Sequence, residues 1–116
     1  MVSFLFKAAF WLLCTLIAVL SLLTTDQLPP QTLHIWDKAQ HAVGFMLLSA
    51  AGLAAYPRRY RSLGWGLLAF GAAIELAQSF TTWRQGDGWD WIADAVGIAL
   101  VMLLAQRFAH NPAARE

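Results

Sequence analysis

The chain has 116 residues, of which 59% are hydrophobic and only 13% charged, with a formal net charge of +1. A soluble domain of this size carries about 25% charged residues, so the polar shell such a domain needs is missing. The small net charge, without any basic stripe or block, gives no footing for nucleic-acid binding.

The apolar residues run continuously instead of alternating, which argues for helices and against strands. A spanning helix needs about 20 mostly apolar residues to cross roughly 30 Å of hydrocarbon. Four segments meet that length, at about residues 4–23, 38–56, 63–80 and 91–108. The expected fold class is therefore all-α: a polytopic membrane protein, a four-transmembrane-helix bundle forming one domain over residues 1–116. The lipid bilayer is its first partner.

In the first segment Lys7 precedes the apolar run, as in a secretory signal, but the exit LSLLTTDQLPP has no small-x-small cleavage site, which favours a retained anchor. Cys14 is the only cysteine, so it forms no internal disulfide and no CxxC metal site. Leu13 stands where a lipid-attachment site wants a small residue, and a buried structural role for Cys14 follows. The second segment, with HAVGFMLLSAAGLAAY, is stopped by Pro57. The third and fourth each carry an acidic residue, Glu75 and Asp94. Small residues recur every four positions at Ala69, Ala73 and Ala77, and at Ala93 and Gly97, marking faces on which helix backbones could approach closely.

Basic residues of short loops accumulate on the cytoplasmic side. Lys7, Arg58, Arg59, Arg61, Arg107 and Arg115 fall on one side of the four spans, and only Lys38 and Arg84 on the other. Both termini are thus expected in the cytoplasm. Trp36, Trp83, Trp89 and Trp91 would form the outer interfacial belt, with Trp65, Tyr56 and Tyr60 on the inner side.

With that orientation the remaining polar residues collect at the outer rim: Asp37, Lys38 and His41 at the start of the second span, Glu75 and Gln78 near the end of the third, Arg84, Asp87 and Asp90 before the fourth, and Asp94 one turn inside it. The pairs Asp37/His41, Glu75/Gln78 and Asp90/Asp94 are spaced to share a helix face, so three helices could aim them at one point. Simpler roles exist for several of them. Asp37 and Asp90 could cap helices, Lys38 could be a solvated rim charge, and Arg84 could anchor on lipid phosphate. His41 could bond to a neighbouring helix, and Asp87, between two glycines, suits a turn. Glu75 resists such a reading: a lone carboxylate about 7 Å below the rim costs a few kcal/mol, so it must be paired, protonated or facing a wet cavity.

The pieces DKAQHAVGF, IELAQ and RQGDGWDWIADAVG, in this order and spacing, resemble the VanZ-like family of small bacterial membrane proteins over residues 30–105. The family pattern has an Asp-Lys-x-x-His start, a Glu-x-x-Gln helix and an Arg-loop-Asp leading into the last helix. Asp94 departs from it, because the family usually has Asn there. The resemblance implies a polytopic membrane protein, the founding member being associated with teicoplanin resistance, and it implies no defined reaction.

Three functions compete on these residues. The first is binding of an anionic, lipid-linked envelope molecule in envelope or glycopeptide tolerance, with Arg84 and Lys38 holding phosphate or carboxylate. The second is a membrane-embedded, metal-dependent or acid–base enzyme on such a substrate using His41, Glu75, Asp90 and Asp94. Against catalysis, no HExxH, GxSxG, cysteine nucleophile pair or P-loop is present, and the paired histidines of catalytic zinc are missing. No cofactor and no metal-ligand set is assigned from the sequence. The third is a non-catalytic assembly subunit whose ionic cluster latches helices. A transporter is disfavoured because residues 46–55 and 63–74 hold no polar track, although a homo-oligomer is left open.

Overall fold

In the computed structural model the backbone is described for residues 2–22, 30–81 and 88–109, and side chains for 2–22, 38–81 and 88–108. The described residues form four α-helices: α1 (Val2–Leu22), α2 (Pro30–Ala55), α3 (Tyr60–Ser79) and α4 (Gly88–Ala109). At 1.5 Å per residue each is about 30 Å or longer. Two of them, α1 and α4, are long and apolar enough to cross a membrane.

Three helices start or end within about three residues of the expected positions. α2 is the exception, beginning at Pro30 and not near 38. Hydrophobicity marks only the part of a helix fit for hydrocarbon, whereas the backbone continues through a polar overhang. Proline suits the first helical position, where its missing N–H costs no hydrogen bond. Asp37 therefore lies about two turns inside α2, which overturns its reading as a helix cap; its side chain is outside the described residues.

α2 ends before Tyr56-Pro57, as expected from the clash between a proline ring and a helical preceding residue. A short turn follows, with Arg59 N–H donating to the Tyr56 carbonyl at 3.1 Å. At the end of α3 the last carbonyls are taken up locally: Thr81 Oγ1 donates to the Gln78 carbonyl at 2.8 Å and Ser79 Oγ to that of Leu76 at 2.6 Å.

The helices alternate in direction. Lys7 Nζ sits 5.3 Å from the Tyr56 ring centroid, joining the start of α1 to the end of α2. At the opposite end the Gln78 side chain reaches Ser21 and His41 reaches Asp94. α2 is the central helix and packs most extensively on α4, then on α1; α1 and α4 do not pack together among the described residues.

Each inner face is a stripe with helical period. In α2 it runs through His41, Phe45, Leu48, Ser49, Gly52 and Ala55, and in α3 through Leu67, Gly71, Ile74, Glu75 and Gln78. α4 contributes Asp90, Asp94, Gly97 and Ile98. The small-residue faces fare differently. Gly97 is buried where the backbones of α2 and α4 meet, and a Cβ there would collide with the Ala42 carbonyl oxygen. Ala69 and Ala73 point outward, so that alanine series is not the packing face of α3 within the chain.

Outside, the bundle is apolar. Phe4, Leu12, Trp65, Leu76, Phe80, Leu103 and Phe108 are each more than 60% exposed, while His41, Glu75, Gln78, Asp90 and Asp94 are all buried. Water as the surrounding solvent would favour the reverse distribution.

Candidate functional site

The site is built where α2 and α4 begin and α3 ends. The i,i+4 and i,i+3 spacings that place Asp90 with Asp94 and Glu75 with Gln78 put each pair on the inner stripe of its helix. His41 stands at the head of the α2 stripe and faces both neighbours.

His41 Nδ1 and Asp94 Oδ1 are 2.7 Å apart in a fully buried contact between α2 and α4. An ionised carboxylate only accepts, so with Asp94 charged the Nδ1–H donates and the imidazole presents its Nε2 lone pair on the other side. Nε2 lies 3.9 Å from Asp90 Oδ2, and Nδ1 lies 3.8 Å from Glu75 Oε1. Lys38 closes the group from the rim, its Nζ 3.4 Å from Asp90 Oδ1. Lys38 is about one third exposed, whereas Asp90 is 3% exposed and Asp94 0%.

Of the residues expected at one point, Lys38, His41, Glu75, Asp90 and Asp94 do converge. Gln78 does not join them by any described contact. It is 1% exposed, and its Nε2 donates to the Ser21 carbonyl of α1 at 2.8 Å. Its Oε1 has no hydrogen-bond partner among the described residues. Gln78 is thus a clasp between α3 and α1. Replacing it with leucine, of similar volume, is expected to cost about 1 kcal/mol and to speed amide exchange near the end of α1. Hydrogen exchange of the solubilised protein checks this, and unchanged protection around Ser21 would refute the clasp.

Asp37 and Arg84, also expected at the rim, have side chains outside the described residues, as does Asp87. Asp90 lies in the first turn of α4, where a carboxylate complements the helix dipole, and it faces Lys38 and His41. Trp91, expected in the interfacial belt, reaches inward: its Nε1–H donates to the Leu68 carbonyl of α3 at 3.0 Å.

Two features were missed from sequence. Gly71 forms the floor under Asp94, since a Cβ there would stand 2.8 Å from Asp94 Oδ2. Ser49 is completely buried in α2, and its Oγ has no hydrogen-bond partner among the described residues. A glycine and a serine inside an apolar run carry no signal of their own.

Among the described residues the cluster holds three carboxylates, one imidazole and one ammonium group. One donor atom from each of His41, Glu75 and Asp90 can be chosen so that all lie within 4.8 Å of one another. Such an array can share protons or pair with a cation. In comparisons with known proteins, the chain matches no family model, no curated protein and no solved structure.

Proposed function

We propose that this chain is a four-span protein of the bacterial cytoplasmic membrane, with both termini in the cytoplasm and the buried cluster near the extracytoplasmic face. One observation carries the reading: the bundle is apolar outside and ionic inside, with the ionic groups gathered at one end. Charged groups at membrane depth face the bundle interior and pair with one another. Lys7, Arg59, Arg61 and Arg107 belong to the opposite end, which supports a cytoplasmic assignment for that end. The buried polar residues of α2, α3 and α4 lie on inner stripes, which protein and not lipid covers.

Its role, in this proposal, lies in the cell envelope: binding of an anionic, lipid-linked molecule in envelope or glycopeptide tolerance, as the VanZ-like resemblance implies. Lys38 is the described cation nearest the rim. Among the described residues an anion would meet the site through Lys38, not through the acids beneath it.

Two measurements test this. The lone cysteine allows single-cysteine labelling in a Cys14→Ala background. Trp89→Cys should react with a membrane-impermeant maleimide in intact spheroplasts, and Arg58→Cys only after permeabilisation; the reverse pattern would overturn the orientation. A drug and envelope-stress panel should then separate wild type from the deletion. Glu75→Ala and Lys38→Ala, at matched abundance, should behave as the deletion; wild-type behaviour of both would reject the envelope role.

A further inference from the structure

We infer that the groove between α1 and α3, toward the start of both helices, holds one acyl chain of an anionic phospholipid, with Arg59 beside the headgroup phosphate. The inference rests on the membrane placement proposed above but not on the envelope ligand.

The two helices meet unequally along their length. Near the end of α3 the Gln78 side chain clasps Ser21 of α1. Toward the other end a cavity of about 510 Å3 lies between Phe10, Trp11 and Cys14 of α1 and Gly66, Ala69 and Phe70 of α3. That volume falls within the range of small-molecule sites, about 300–1,000 Å3. The α1 wall is fixed in place. Trp11 Nε1–H donates to the Tyr56 hydroxyl at 3.0 Å, and Phe10 stands edge-on to the Tyr56 ring at 6.1 Å. The α3 wall is low, because its side chains are small. Gly66 and Ala69 are exposed, and a Cβ added at Gly66 would meet nothing within 4 Å. The outward small residues of α3 thus leave room for something other than a helix of this chain.

Length and charge decide the occupant. From Arg59 to Phe70 the lining spans about 16 Å by helical rise, roughly half of the hydrocarbon core and so one leaflet. A second helix would pack along a whole span, whereas an acyl chain ends with its leaflet. The polar side chains of the lining, Tyr56, Arg59 and Ser62, gather at one end, and no carboxylate joins them among the described residues. Arg59 is exposed, and its side chain does not cap α3. Lys7 adds positive charge at the same end, 5.3 Å from the Tyr56 ring centroid, and Arg58 and Arg61 stand within two residues of Arg59. Guanidinium pairs with phosphate through parallel N–H bonds, and clustered basic residues at a membrane surface attract anionic lipid.

The test uses the full chain purified in detergent and stripped of lipid. It is titrated with phosphatidylglycerol or with phosphatidylcholine of the same acyl chains, and bound lipid is counted by native mass spectrometry. Wild type should retain one phosphatidylglycerol per chain, held at least about fivefold better than phosphatidylcholine, the gain expected from one basic residue at a membrane surface. Gly66→Leu fills the groove from a position with open space around it. It should weaken retention of phosphatidylglycerol at least about tenfold, as displacing about two methylenes does. Ala69→Leu, which fills the groove from the next turn, should act in the same direction. Arg59→Gln should reduce the preference for phosphatidylglycerol and leave phosphatidylcholine unchanged. Ala72→Leu, exposed on α3 outside the groove lining, should alter neither. Circular dichroism identifies the folded variants. Absence of retained phospholipid in folded wild type, equal retention of the two lipids, or undiminished retention in folded Gly66→Leu or Ala69→Leu would each overturn the inference. A protein dimer without bound lipid, abolished by the leucine variants, would overturn it in favour of a second copy. These readouts do not depend on which side the groove faces; the labelling pattern of Trp89→Cys and Arg58→Cys reports separately on the membrane placement.

Discussion

Asp94→Ala is expected to lower the thermal stability of the solubilised protein markedly, while Asp94→Asn leaves it near wild type. The two substitutions remove the same charge and differ in what they leave for His41. Alanine removes the acceptor that Nδ1–H meets at 2.7 Å, and losing the partner of a buried donor costs about 1–3 kcal/mol. Asparagine still offers a carbonyl oxygen to that N–H, the contact now made at 2.7 Å. It also removes one of three clustered negative charges, and relief of like-charge repulsion offsets part of any weakening of the bond. Relief of repulsion acts in both variants, but only asparagine also keeps an acceptor for the His41 N–H. Unfolding midpoints of both variants, in one detergent and without added metal, decide the matter. Equal loss in the two would mean that the charge of Asp94, and not its hydrogen bond, is what the bundle needs.

Gly97→Ala should prise apart α2 and α4, the most extensive helix contact in the bundle. A Cβ at position 97 would fall on the Ala42 carbonyl oxygen, an atom fixed in the backbone of α2. Helix backbone cannot move aside as the tip of a side chain can, so one helix must shift. Forcing an extra carbon into a packed core costs about 1–3 kcal/mol. Against this, alanine is intrinsically better than glycine in a helix by up to about 1 kcal/mol. Gly66, exposed on α3 with nothing within 4 Å of an added Cβ, isolates that opposing effect. Gly66→Ala should therefore hold or raise the unfolding midpoint while Gly97→Ala lowers it. Gly97→Leu should abolish accumulation in the membrane. If Gly97→Ala and Gly66→Ala shift the midpoint alike, the close approach of α2 to α4 is wrong.

The sequence by itself determined that the chain is helical and roughly where its four helices lie, because continuous apolar runs of bilayer length have few other solutions. It also determined which residues demand an explanation. A carboxylate such as Glu75 within an apolar run is conspicuous because burying it alone is costly. The common face of Asp90 and Asp94, and that of Glu75 and Gln78, followed from helical periodicity. Where α2 begins was hidden, since a helix continuing through polar residues leaves no hydropathy signal, and Asp37 was misplaced as a cap for that reason. The tertiary structure alone decided which faces meet. Gly97 and the Ala69/Ala73 series look alike as small-residue patterns, yet one packs against α2 and the other faces outward. It also split the polar set, turning Gln78 toward Ser21 of α1 while His41 drew Asp94, Asp90 and Glu75 together. Spacing along a helix fixes which side chains share a face, but the rotation of each helix against its neighbours fixes what that face touches. That rotation is set by packing at positions such as Gly71 and Gly97, whose meaning lies in what stands opposite them.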